Sequence, residues 1–246
     1  MVEVNVQTDV QYGDAGSRPL KLDIYRPQDT KLSGQGDTAI LLVHGGGWTR
    51  GSKDMLVPMS KALAGEGYVV FTQEYRLTPE APYPACIHDV KRAIRWVRAN
   101  ASKYNVDPNK LCLQGQSAGA HLVLLAAGTP NLRELDPPDA DISISAECAA
   151  VAAFYPPTIM YRGEQRVSGG TAARALKGSD VSDELAKQAS PITYVHPQFP
   201  PTMLLHGDKD TVVPVSASRR FEEALRAAGG SCDMQMFAGL PHGFAG

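Results

Sequence analysis

From Ile40 onward, short apolar runs alternate with stretches in which apolar residues return every three or four positions. Ile40-Leu41-Leu42-Val43, Leu111-Cys112-Leu113, Ala149 to Tyr155, Met203-Leu204-Leu205 and Met234-Gln235-Met236-Phe237 are compact and bounded by polar or turn-forming residues, as buried strands are. Between Ala85 and Asn100, Ile87, Val90, Ile94 and Val97 fall on one helical stripe. Lys91, Arg92, Arg95 and Arg98 occupy the other faces and read as a solvated surface. Ala118 to Leu125 is apolar nearly throughout, as a central helix would be. This alternation predicts βαβ units, hence a mostly parallel central sheet with helices on both faces.

The rest of the chain adds an edge and two interruptions. Val2 to Thr8 and Leu20 to Tyr25 are amphipathic strands joined through Gly13-Asp14-Ala15-Gly16, which predicts an antiparallel N-terminal edge. Thr129 to Glu147, with Pro130, Pro137 and Pro138, reads as a loop. Residues 156–191 form an excursion with two short helical candidates, Ala172 to Leu176 and Ser182 to Gln188, and are expected to be a minimal lid. The whole, residues 1–246, is expected to form a single α/β domain, a size at which one core can be buried.

Charge and cysteine usage narrow the function classes. A formal net charge of -2 supplies no basic field for nucleic acid or acidic membranes, and no apolar run is long enough to span a bilayer. Met1-Val2-Glu3-Val4-Asn5-Val6 lacks the basic and apolar regions of a signal peptide, so a cytoplasmic location is expected; a secreted chain with its signal removed would read the same. Cys86, Cys112, Cys148 and Cys232 are scattered without a paired spacing, so neither a zinc site nor a disulfide framework is expected, and no metal or organic cofactor is implied.

The candidate chemistry lies at strand ends. Gly115-Gln116-Ser117-Ala118-Gly119 joins a strand to a helix, the setting of a nucleophile elbow, with Ser117 at the corner. Alone such a string is common in surface loops, but other strand ends carry matching groups. His44-Gly45-Gly46-Gly47-Trp48 follows one strand, and a glycine loop there can offer backbone N–H groups to an oxyanion. It lacks the lysine of a phosphate-cradling loop. Asp208 and Asp210 follow the strand Met203 to Leu205, and His242 follows the last strand. The chain order serine, acid, histidine predicts Ser117 as nucleophile, His242 as general base and one of the two aspartates as the group that orients the imidazole. His206, His44 and His121 are expected to be structural. Trp48 is expected either to pack on a substrate or to cover its loop, and Glu74, Arg76 and Asp89 to form ion pairs.

Five strings together resemble the α/β-hydrolase esterases related to hormone-sensitive lipase and to the bacterial acetyl and feruloyl esterases of the BD-FAE-like group. They are His44-Gly45-Gly46-Gly47-Trp48, Tyr75-Arg76-Leu77-Thr78-Pro79-Glu80 with Pro82-Tyr83-Pro84-Ala85, Gly115 to His121, His206-Gly207-Asp208-Lys209-Asp210, and Pro241-His242-Gly243-Phe244. The resemblance selects Asp210 over Asp208 as the acid and implies Gly46, Gly47 and Ala118 as oxyanion donors. It implies a carboxylic ester hydrolase with an acyl-enzyme intermediate, acting on small-molecule substrates such as short-chain acyl or sugar-linked acetyl and feruloyl esters. Kynurenine formamidases, which share the His-Gly-Gly-x-Trp loop, and non-catalytic ligand binders of this fold are the alternatives. Two departures stand out: the family usually continues for another helix past the histidine, so the expectation is either a less well anchored His242 loop or a clipped sequence, and no N-terminal helical cap precedes Leu20, so an open, shallow site is expected.

Overall fold

The computed structural model describes residues 3–28, 36–78, 80–160, 176 and 181–245. Its elements run β1 (Val4–Asp14), β2 (Pro19–Pro27), β3 (Asp37–Val43), α1 (Val57–Gly65), β4 (Val69–Gln73), α2 (Ala85–Ala99), β5 (Val106–Gln116), α3 (Ala118–Gly128), β6 (Ala150–Phe154), α4 (Asp183–Gln188), β7 (Thr202–Gly207), α5 (Ser216–Ala227) and β8 (Cys232–Phe237). The strands form one sheet in the order β1-β2-β4-β3-β5-β6-β7-β8. β1 and β2 pair antiparallel, as do β2 and β4; every other pairing is parallel.

The sheet is covered unequally. α2, α3 and α5 share one face, where Phe71, Leu113, Ala153, Leu204, Phe221 and Leu225 belong to one core. α3 is central to it, with Ala118 to Ala127 all buried, which is why its sequence carries no polar stripe. α1 lies on the opposite face over Ile40, Leu42 and Val70. On that side the more distant strands stay partly open: Ala150, Ala152 and Phe154 are half-buried and Met203 is 40% exposed, whereas Val151, Ala153 and Leu204 on the other side are buried.

Two of the basic residues of α2, Lys91 and Arg95, are buried and Arg92 and Arg98 are half-buried, contrary to the expectation of a solvated surface. Lys91 is fully buried, its Nζ 2.6 Å from Asp136 Oδ1 and donating to the Thr129 carbonyl at 2.7 Å. Arg95 shares Asp136 at 2.8 Å, Arg92 pairs with Asp139, and Arg98 donates to the Glu147 carbonyl at 2.7 Å. The loop between Thr129 and Glu147 folds over the helix, and its aspartates and carbonyls replace the water these cations would otherwise require.

Of the two helical candidates in the 156–191 excursion, the second forms α4. Ser182 caps it, its Oγ accepting from the Leu185 N–H, and Asp183 and Glu184 occupy the positive first turn. The first lies outside the described residues except for Leu176, which is helical and buried. No described helix is long and apolar enough to cross a membrane.

Candidate active site

Ser117 stands between β5 and α3 with φ 52° and ψ −115°, a backbone conformation costly for a residue with a side chain. The two flanking glycines make the corner feasible. A Cβ on Gly115 would lie 2.3 Å from the Gly119 carbonyl oxygen, and one on Gly119 would lie 2.1 Å from that of Val43. Neither neighbour can withdraw, because both are backbone.

His242 Nε2 is 2.9 Å from Ser117 Oγ, and His242 Nδ1 is 2.7 Å from Asp210 Oδ2. An ionised carboxylate only accepts, so Nδ1 carries the proton and Nε2 is left to accept from the serine hydroxyl. The Asp210 side chain is fully buried and fully engaged. Its Oδ1 accepts from the backbone N–H groups of Val212 and Val213, each at 2.8 Å, while its Oδ2 faces His206 Nε2 at 3.2 Å as well as His242. Asp208 is turned elsewhere, its Oδ1 accepting from the Gly239 N–H at 2.7 Å. With Lys209 N–H donating to the Leu240 carbonyl at 3.1 Å, that contact laces the loops after β7 and β8 together.

The His242 loop, expected to be less well anchored, is held by contacts of the residues that follow it. Phe244 packs against Phe154, Tyr155 and Phe237, with ring centroids 5.0 to 6.3 Å apart. Gln116 Nε2 donates to the Ala245 carbonyl at 3.2 Å. Aromatic burial against the open sheet face and a hydrogen bond to the elbow strand hold the segment.

The glycine loop lies against the elbow, close enough that a Cβ on Gly45 would come within 2.9 Å of the Gln116 carbonyl oxygen. Gly46 and Gly47 adopt φ of 115° and 62°. Among the described residues, none accepts a hydrogen bond from the N–H of Gly46, Gly47 or Ala118. His44 braces the loop: its ring stacks on Tyr75 at 4.4 Å, and the Tyr75 hydroxyl donates to the His44 carbonyl at 3.1 Å. Burial pushes the His44 imidazole down to about 4, so it is neutral at neutral pH.

Trp48, expected as a substrate contact or a loop cover, is buried beneath its loop. It is 2% exposed, and its indole Nε1–H donates to His121 Nδ1 at 3.2 Å. The indole is directed into the core because His121, pushed down to about 4 by burial and therefore neutral, offers the acceptor it needs. His121 Nε2–H in turn donates to the Ala189 carbonyl at 2.7 Å, just past α4. Arg76 and Asp89 form the expected ion pair, at 2.7 Å. Tyr155 escaped the sequence reading: at the end of β6 with φ 41°, its ring lies beside His242. Its place at the carboxyl end of a parallel strand, where ligand sites of such sheets gather, was the available signal.

An eight-stranded, mostly parallel sheet with a strained serine at its central strand–helix corner, faced by a glycine loop and an imidazole, defines an α/β-hydrolase of the esterase type. More narrowly, the chain belongs to the BD-FAE family, whose model matches residues 22–225. It is 37% identical over 226 residues to Esterase LipQ of Mycobacterium tuberculosis, covering 90% of this chain and 53% of that protein. It is 34% identical to the probable carboxylic ester hydrolase LipM of the same organism, covering 89% and 51%. The chain thus spans about half the length of the curated relatives it matches. Among solved structures, Thermogutta terrifontis esterase 2 phosphoramylated by tabun superposes with a TM-score of 0.84 at 32% identity, over 97% of this chain and 85% of that one. The propionate-bound form of that esterase superposes at 0.82 and 33% identity, over 99% and 85%.

Proposed function

We propose that residues 1–246 form one α/β-hydrolase domain that hydrolyses carboxylic esters through an acyl-enzyme on Ser117. The observation that carries this reading is the continuous path from Ser117 Oγ through His242 to Asp210, with contacts of 2.9 and 2.7 Å. As Ser117 Oγ attacks the ester carbonyl, His242 Nε2 takes its proton, and Asp210 stabilises the resulting imidazolium. The negative charge moves to the carbonyl oxygen, where the free N–H groups of Gly46, Gly47 and Ala118 are available to receive it. Collapse of the tetrahedral species returns the proton from His242 to the leaving alcohol. Water, deprotonated by the same nitrogen, then attacks the acyl-enzyme and releases the acid and Ser117.

Short acyl groups are the preferred substrates in this reading. Support comes from the related Thermogutta terrifontis esterase 2, solved with propionate and with butyrate bound. Sugar-linked acetyl and feruloyl esters are the natural class we assign beside simple short-chain esters, on the BD-FAE membership. The phosphorylation of the same relative by paraoxon fits a covalent nucleophile.

The test pairs Ser117→Ala with a substrate panel from acetyl to dodecanoyl p-nitrophenyl esters, acetylated xylan, methyl ferulate and N-formylkynurenine. Loss of about 10⁴-fold or more in kcat by a folded Ser117→Ala variant is expected, because the three groups act as a unit. Retained p-nitrophenyl acetate turnover in that variant would overturn the mechanism. Faster turnover of N-formylkynurenine than of any ester would overturn the substrate class.

A further inference from the structure

His206 is the one buried imidazole that touches the machinery without belonging to the serine–histidine–aspartate path. Its side chain is fully buried, and its surroundings determine its protonation. Nε2 lies 3.0 Å from the Val213 carbonyl and 3.2 Å from Asp210 Oδ2, both of which only accept, so Nε2 carries a proton, which it donates to Val213 while lying against Asp210. Nδ1 lies 2.8 Å from Ser218 Oγ on α5 and accepts from that hydroxyl. Burial lowers the affinity of the ring for a second proton, which keeps it in this neutral form.

We infer that His206 is a positioning residue that locks the Asp210 carboxylate in the orientation from which Oδ2 serves His242. Val212, Val213 and His242 then donate to that carboxylate, and the His206 ring closes its remaining side at 3.2 Å. With His206 in place the carboxylate cannot rotate without abandoning several donors. The positive end of the neighbouring Nε2–H dipole also stabilises the negative charge of Asp210, which makes it a weaker base toward the His242 proton and holds that proton on Nδ1. Ser218 is the far end of the relay, because its hydroxyl donates to Nδ1 and so supports the tautomer that the acceptors at Nε2 select.

This inference rests on the proposed role of Asp210 and His242, and its test separates the two. The variants are His206→Leu, which fills the site without a donor, His206→Gln, whose amide nitrogen reaches the former Nε2 position, Ser218→Ala, and Ser117→Ala as reference. The titratable groups facing His206 and His242 are Asp210 on the β7 loop and Tyr155 at the end of β6; α5 contributes the neutral Ser218. His206→Leu should lower kcat by about 10- to 100-fold with KM changed less than about threefold, as expected for loss of one polar contact to a charged group. It should also move the acidic limb of the kcat/KM profile to higher pH, because a less stabilised carboxylate favours the His242 imidazolium. His206→Gln should recover most of both losses, and Ser218→Ala should shift the limb the same way by less.

A folded His206→Leu with unaltered kcat and an unmoved limb, while Ser117→Ala is inactive, would overturn the inference and leave the mechanism standing. So would equal losses in the Leu and Gln variants with the limb unmoved in both. Turnover persisting in Ser117→Ala would overturn both. Should His206→Leu fail to fold, the Gln and Ser218 variants decide: an unmoved limb in Ser218→Ala together with inactivity in folded His206→Gln counts against the inference.

Discussion

The ring of Tyr155 lies 4.6 Å from that of His242, tilted by 58°, and so forms one wall of the space in which the imidazole sits. Its hydroxyl oxygen faces the backbone N–H of Ala245, on the segment that follows the histidine. A strained residue packed against the proposed base implies that the orientation of the imidazole is held from β6 as well as from Asp210.

Tyr155→Ala is therefore expected to lower kcat by about 10- to 100-fold through loss of His242 orientation, whereas Tyr155→Phe, which keeps the ring, should stay within about threefold. Steady-state kinetics on a short-chain ester check this. Equal activity of the Ala variant and the parent would show that the ring contact has no positioning role.

The two aspartates after β7 should separate cleanly. Asp210→Asn is expected to reduce kcat by about 10⁴-fold, because an amide at Oδ2 would present the wrong partner to His242 Nδ1. Asp208→Asn removes only part of a surface bond to the Gly239 N–H and should stay within tenfold, a change read from kcat/KM of both variants side by side.

Acid should weaken the fold through His44 and His121. Both are held near 4 when folded, against about 6.5 in the open chain, so between those values the unfolded state binds more protons than the native one. Their contribution to stability is complete above pH 6.5, falls as pH drops and levels off below about 4. The loss is roughly 3 kcal/mol per ring at most. Urea midpoints at pH 7, 5.5 and 4.5 should decline in that order, and the decline should be shallower in His121→Gln.

The buried cation of α2 should matter more than its half-buried neighbour Arg92. Lys91→Met leaves Asp136 buried with Arg95 as its close partner and is expected to cost about 3 kcal/mol. Arg92→Ala breaks a pair with an exposed Asp139 and should cost about 1 kcal/mol or less. Chemical denaturation of the two variants provides the comparison.

The parts of this molecule visible in the sequence are those in which local pattern and tertiary role agree. The runs Ile40 to Val43 and Leu111 to Leu113 became central strands, and the periodic Ile87, Val90, Ile94 and Val97 became the buried stripe of α2. Gly115 and Gly119 were legible because the corner permits no Cβ. What escaped depends on partners distant in sequence. Lys91 looks like a surface residue until Asp136 folds over it, and Trp48 looks like a substrate contact until His121, 73 positions away, supplies its acceptor. The choice between Asp208 and Asp210 required the family pattern, because two aspartates two positions apart on one loop are locally equivalent. His206 showed itself as a buried histidine, but its contact with Asp210 depends on how the loop after β7 closes.

The path from Trp48 through His121 to the Ala189 carbonyl gives the molecule a built-in optical reporter. The chain has two tryptophans, and replacing Trp96 by Phe leaves a single indole, hydrogen-bonded to the imidazole that holds the segment after α4. Its emission then registers protonation of His121 or displacement of the segment that His121 holds.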